Sequence, residues 1–292
     1  MEAAHFVVSL RSELISRNWG SFNMKINALS RYERLRLRSS IGQAISSLES
    51  TTTWKDYGEE KLFPGLIQQS YPWFSKRFPK TAKFLDSSSL AKGMDVAGLL
   101  SAAVGIVGIK SDRTQTVTSV VNAIIQTYSR MHNGYGRDGS DEMQELIAWY
   151  DILSRISYST KEESHELFLR AVNLQLVVSY TASGLIKAVS EPWRGGDAFK
   201  GVMRTKSYGH PVVAKALDKY SFLNPLICWQ TILWESLYPI AYLLPNRGFK
   251  TVILFTELFH LAIGYWMGLP RFFWAFGAAH EAALHVKDKN GK

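Results

Sequence analysis

What most constrains this chain is where its charges are missing. Lysine and arginine fence off uncharged blocks. Arg113 and Arg130 bracket residues 114–129, Arg170 and Lys187 bracket 171–186, and 96–109 run uncharged up to Lys110. Residues 222–244 carry Glu235 as their only charge. Residues 251–285 carry only Glu257, Arg271 and Glu281, and Pro270 divides that run in two. A helix rises about 1.5 Å per residue, so roughly 20 residues cross a hydrocarbon core of about 30 Å. Residues 222–244 and 251–269 reach that length, and their continuous apolarity leaves no polar face for water. The shorter blocks fit two readings: tilted spans flanked by snorkelling Arg and Lys, or core helices of a soluble all-helical protein.

Composition sharpens this. The 292 residues are 46% hydrophobic, too apolar for disorder. The mean hydropathy of −0.08 averages a polar first third against a largely apolar remainder. The single cysteine, Cys228, excludes an intramolecular disulfide and a cysteine-based zinc site. Strand-like alternation is nearly absent, while helical patterns recur near 94–110, 114–131, 142–158, 165–190, 222–244, 250–268 and 271–286. The expected fold is all-α, a multi-pass transmembrane helical bundle in the cell membrane with the lipid bilayer as its partner. It divides into an N-terminal amphipathic or interfacial region, 1–92, and a helical transmembrane domain, 93–287.

Within the first region, Phe6–Ile15 is amphipathic but too short an apolar run for a secretory signal. Residues 31–48 read as a helix that either lies at the interface or makes a poor first span. Residues 50–92 mix Trp, Tyr, Phe, Pro and Lys, a composition suited to the headgroup level. The net charge of +9 falls between the apolar blocks, at Lys76, Arg77, Lys80, Lys83 and Lys92 and then at Arg194, Lys200, Arg204, Lys206, Lys215 and Lys219. If the blocks alternate sides, both groups lie on one side, as the positive-inside rule has it. No nucleic-acid face is expected, because that requires basic residues gathered on one soluble surface.

Several motifs resemble chemistry and fail on spacing or context. Residues 134–139 spell GxGxxG, but a helix precedes them where a dinucleotide site needs a buried strand. His280 and His285 flank Glu281 in a near-HExxH, yet their spacing of five turns the second histidine about 140° away from the first. No metal site is expected. Asp138, Asp141 and Glu142 beside His132 read either as the first turn of a helix capped by Ser140 or as a cation site.

The informative residues are ionisable groups inside apolar blocks: Lys187, Glu235, and Glu257 with His260, the last two spaced to share a helix face and pair. Intramembrane charges are expensive and default to a functional hypothesis. Against this, Lys187 reads equally as a snorkelling helix-end cation, and the others as a polar network locking helices together.

The stretch from Gln175 through Tyr180 and Gly184 to Lys187, followed by Trp193 and Gly196, resembles the hallmark segment of the vitamin K-dependent γ-carboxylase superfamily. It is most similar to the bacterial HTTM branch, which includes sporulation-delaying-protein-B-like membrane proteins. Glu235-Ser-Leu-Tyr-Pro239 and Phe259-His260 through Gly264 with Met267-Gly-Leu269 add to the resemblance, which spans about residues 90–285. It implies a multi-pass helical bundle with Lys187 as the base that deprotonates a reduced quinone. Tyr180, Gly184 and Trp193 then line the cofactor pocket, with Glu235 and His260 as polar catalytic surroundings. His132 falls where the family has a His-bearing segment between early helices. An amine at an apolar helix end is the kind of group that burial makes a usable base. The implied function is carboxylase-like, quinone-linked maturation of a secreted peptide or a lipid-soluble substrate, with a partner protein. The alternative is a non-catalytic accessory or immunity subunit of a secreted toxin system.

Overall fold

A computed structural model describes residues 29–52, 54, 66–132 and 137–290. Phe6–Ile15 and residues 134–136 of the glycine-rich motif lie outside the described residues. All regular structure among those described is helical, as expected of an all-α chain. The helices are α1 (Arg31–Thr52), α2 (Ile67–Ser70), α3 (Pro72–Arg77), α4 (Pro79–Leu85), α5 (Ser88–Val107), α6 (Asp112–His132), α7 (Gly139–Ser157) and α8 (Lys161–Val189). There follow α9 (Glu191–Gly195), α10 (Asp197–Met203), α11 (Pro211–Lys219), α12 (Leu223–Ser236), a 3₁₀ segment (Tyr238–Leu243), α13 (Asn246–Met267) and α14 (Pro270–Asn290).

Helix α14 holds the bundle together because its middle is made of small residues. Ala275, Gly277, Ala278, Ala279, Ala282 and Ala283 leave little bulk between Phe276, His280 and Glu281, and every residue from Ala275 to Ala283 is buried. Backbones approach closely where side chains are small, and α1, α7, α8 and α13 all pack on this helix. Leu35, Phe168, Val172, Leu176 and Phe249 fill the space around it.

Residues 31–48 lie in a helix, α1. Its polarity suggested an interfacial helix or a poor span, but it packs inside the bundle between α14 and α5. It runs antiparallel to α14: Arg31 meets Glu281 at 2.8 Å and Asp288 at 3.0 Å, while Glu49 meets Arg271 at 3.4 Å near the other end. Several of its buried polar side chains find partners. Ser39 donates to Gln144 at 2.8 Å, Gln43 accepts from Gln126 at 2.8 Å, and the fully buried Arg36 donates to Gln115 at 3.1 Å. Beside them Asp151, wholly buried, accepts from Tyr32 at 3.1 Å and from Ser119. Buried polar groups are tolerable when hydrogen-bonded.

The outer faces are the reverse. Leu174, Val178, Leu185 and Ile186 on α8 are exposed, as are Leu254, Leu258 and Leu261 on α13, Leu226 and Leu233 on α12, and Leu100, Val104 and Val107 on α5. The bundle is therefore polar in part of its interior and apolar over much of its surface.

Further expectations change. Residues 222–244 are not one helix: α12 stops at Ser236 and the chain continues as a 3₁₀ segment with Pro239 at its start. Proline has no N–H to extend the α-helical ladder. The apolar run from Thr251 lies in α13, but that helix begins with Arg247 and Lys250. Among the described residues one helix, α5 with 20 residues, is long and apolar enough to cross a membrane by length and composition. The N-cap of α7 is Asp138, not Ser140. Its carboxylate accepts the Ser140 N–H at 2.9 Å, and Asp141 reaches back to the Asp138 N–H at 3.3 Å.

Candidate functional site

Tyr180, Ser183, Gly184 and Lys187 recur at intervals of three and four, so they lie on one face of α8. Opposite them stands α12. Gly184 is buried, and a Cβ there would press on the backbone nitrogen and the hydroxyl of Ser236 and on the Glu235 carbonyl carbon. The two backbones therefore touch at this point, and the contact requires glycine. One turn further along α8, Lys187 Nζ lies 2.5 Å from Glu235 Oε2 and donates to Ser183 Oγ at 2.5 Å.

The helix α9 completes the group. Pro192 sits in its first turn, and Gly196, at φ 87°, ends it in the left-handed conformation. The intervening Trp193 presents its ring to Lys187, with Nζ 5.2 Å from the ring centre, within cation–π range. The Lys187 side chain is 18% exposed and that of Glu235 9%, so the pair is shielded but reachable. Four residues singled out from the sequence thus come together: Lys187, Glu235, Trp193 and Gly184. Gly184 acts as the point of helix contact.

Two turns back on the same face, about 10 Å along the axis, Tyr180 forms a second group. Its hydroxyl lies 2.9 Å from His280 Nε2, which also lies 3.2 Å from the Thr256 hydroxyl. The other ring nitrogen of His280 is 3.7 Å from Glu257, and Glu257 pairs with Arg38 of α1. Arg38 is anchored in turn by donating to the Gly277 carbonyl at 2.9 Å. Tyr180 is enclosed edge-on by Trp234 at 4.9 Å and Tyr238 at 4.6 Å, and Phe276 stacks on it at 5.5 Å. Since Trp234 directly precedes Glu235, the two groups share a wall.

His260 belongs to the Tyr180 group but does not pair with Glu257. Its Nδ1–H donates to the Thr256 carbonyl one turn back at 2.8 Å, and its ring stacks on Phe276 at 4.5 Å. A carbonyl only accepts, so Nδ1 carries the hydrogen. Glu257 turns instead to Arg38, a cation the spacing argument could not see.

His132 is not brought to Lys187. It ends α6, stacks with Tyr128 at 5.2 Å and lines a small polar cavity with Gln43, Ser47, Asp95 and Gln126. Its partners belong to the α1–α5–α6 corner.

The near-HExxH resolves into three directions: His280 points to Tyr180, Glu281 to Arg31 and Arg34, and His285 to Glu166 at 2.8 Å. Among the described residues no group of three or more His, Cys, Asp or Glu is placed to hold a metal ion. The sequence reading missed His280 and Arg38 as site residues. The available signal was a lone histidine centred in a run of alanines, which only a buried helix accommodates.

Compared with protein-family models, curated proteins and solved structures, the chain matches none.

Proposed function

We propose that this chain is a multi-pass membrane protein of the HTTM type whose Lys187–Glu235 pair handles a proton for a lipid-soluble or peptide substrate. The observation that carries the proposal is the ion pair itself. It is held at 2.5 Å by a backbone contact, capped by the Trp193 ring, and set in a helix face whose neighbours Leu185 and Ile186 are exposed and apolar. An uncompensated charge in such surroundings is unfavourable, and a retained pair there is a functional candidate. The turned-out surface supports the bilayer part of the reading: apolar faces would meet lipid while Asp151 and Gln43, Gln115, Gln126 and Gln144 are hydrogen-bonded inside.

The chemistry follows from the pair. Proton transfer from Lys187 Nζ to Glu235 Oε2 leaves a neutral amine beside a neutral carboxyl. The amine then takes the proton of a substrate hydroxyl, leaving the substrate anion beside the ammonium, and the Glu235 carboxyl releases its own proton to solvent, which restores the ion pair. The residues present would hold the quinol that the resemblance implies: the Lys187 amine and the Ser183 hydroxyl would meet an oxygen, and Trp193 would supply a flat face. When bound, a reduced quinone supplies an acidic hydroxyl and reducing equivalents.

A second reading, a non-catalytic accessory or immunity subunit of a secreted peptide system, rests on another fact. Lys187 is already engaged by Glu235, Ser183 and Trp193. In that case the pair is a clamp joining α8 to α12. Organic extraction of detergent-purified protein followed by mass spectrometry separates the two. The enzymatic reading predicts an isoprenoid quinone retained by wild type and lost from a folded Lys187→Met variant. Equal absence from both, with a lower melting temperature for the variant, favours the clamp.

A further inference from the structure

The segment before α5 carries no acid between Leu66 and Leu85, yet contains Lys76, Arg77, Lys80 and Lys83. All four are exposed, and among the described residues none of them forms an ion pair. Large aromatics stand among them: Trp73 is 76% exposed, Phe84 61% and Phe78 45%, and the Arg77 guanidinium lies over the Phe78 ring at 5.5 Å.

This is a built platform. Asp86, buried, accepts the backbone N–H groups of Ile67 and Gln68, each at 2.9 Å, which closes the segment into a loop. Tyr128 donates to the Leu85 carbonyl at 3.0 Å, and the Leu66 N–H donates to the His132 carbonyl at 3.0 Å. Ile67 and Ala82 are buried beneath. The loop's own acid is thus consumed in holding it shut, and the surface it presents is cationic and aromatic. Directly after it, Ser87 caps α5, whose exposed Val96, Leu100, Val104 and Val107 continue the apolar face.

We infer that this platform binds the phosphate-bearing headgroups of anionic phospholipids at the membrane surface where α5 begins. Exposed Trp and Phe settle at the level between headgroup and acyl chain. Basic side chains beside them are attracted to anionic lipid, each by about 1 kcal/mol or roughly fivefold. Charge complementarity without aromatics would suit any polyanion, and aromatics without charge would suit any bilayer. Their alternation next to an apolar helix selects anionic lipid. The inference builds on the bilayer reading above and names the lipid class.

The test is native mass spectrometry of the detergent-purified full chain, offered equal phosphatidylglycerol and phosphatidylcholine. Wild type is expected to retain phosphatidylglycerol at least tenfold over phosphatidylcholine. The variant K76Q/R77Q/K80Q/K83Q, with an unchanged melting temperature, is expected to retain the two nearly equally. Should that variant misfold, salt decides with wild type alone: the preference must fall between about 0.05 and 0.5 M, as screening requires. No preference in wild type, an undiminished one in the folded variant, or displacement of lipid by a polyglutamate peptide at equal charge would overturn the proposal. Membrane fractionation in parallel separates the two readings. Protein held in the bilayer without lipid preference sinks only this inference, whereas aqueous protein that keeps the preference sinks only the multi-pass reading.

Discussion

Lys187 meets Glu235 at 2.5 Å because one residue on the same face of α8, Gly184, lets the backbone of α12 come within contact. The ion pair depends on the absence of a side chain one turn away. Adding one pushes against Ser236 and Glu235 backbone atoms, which cannot swing aside as a flexible side chain would.

Gly184→Val is therefore expected to separate α8 from α12 and lower stability by about 1–3 kcal/mol, the usual range for overpacking. Gly93→Ala in α5 is the control, since a Cβ there meets nothing within 4 Å. It should be neutral or stabilise by up to about 1 kcal/mol, through helix propensity. Thermal denaturation in detergent measures both.

The pair itself predicts non-additive loss. Removing one charge leaves the other shielded and unpaired, which costs about 3–5 kcal/mol for a buried pair. Lys187→Met and Glu235→Gln should each destabilise, and the double variant should lose less than the two losses added. A double-mutant cycle from denaturation midpoints checks this. Strict additivity would mean that the two groups do not interact.

Tyr180→Phe keeps the ring stack and deletes the hydroxyl facing His280. The expected loss is about 1–3 kcal/mol, because a buried ring nitrogen forfeits a partner. Thr256→Val in the same background removes the other hydroxyl near that nitrogen and should add to the loss.

Acid sensitivity should be concentrated where α8 meets the end of α14, outside the apolar block bounded by Arg170 and Lys187. Burial alone would raise the Glu166 carboxyl. Hydrogen bonds from Lys289, His285 and Arg170 outweigh it and hold the group down to about 2. An unfolded glutamate titrates near about 4.3, so the contribution is whole above that pH and is lost as pH falls towards 2. Melting temperature should drop between about pH 4.5 and 2. Glu166→Gln should flatten that slope while leaving its position at pH 7 lower than wild type.

The residues legible from sequence were found in two ways. Lys187 and Glu235 stand out because a charge in an apolar run is a local anomaly, Trp193 enters only through the resemblance, and the spacing along α8 fixes which of its residues face one way. What stayed hidden depended on distant chain. Helix α1 reads as an interfacial helix or a poor first span until Gln115, Gln126 and Gln144 from α6 and α7 are seen to bond its buried polar side chains. His260 and Glu257 have the spacing of a pair, but Arg38, more than 200 residues earlier, draws the glutamate away. The break at Ser236 was signalled by Pro239 and concealed by the unbroken apolarity around it.

The most direct test of the central claim, that this polar-cored bundle turns its apolar faces to lipid, is alkaline carbonate extraction of membranes from cells producing the full chain. The account predicts that the protein stays in the membrane pellet and leaves it only with detergent. Release into the carbonate supernatant as a folded, monodisperse species would contradict it.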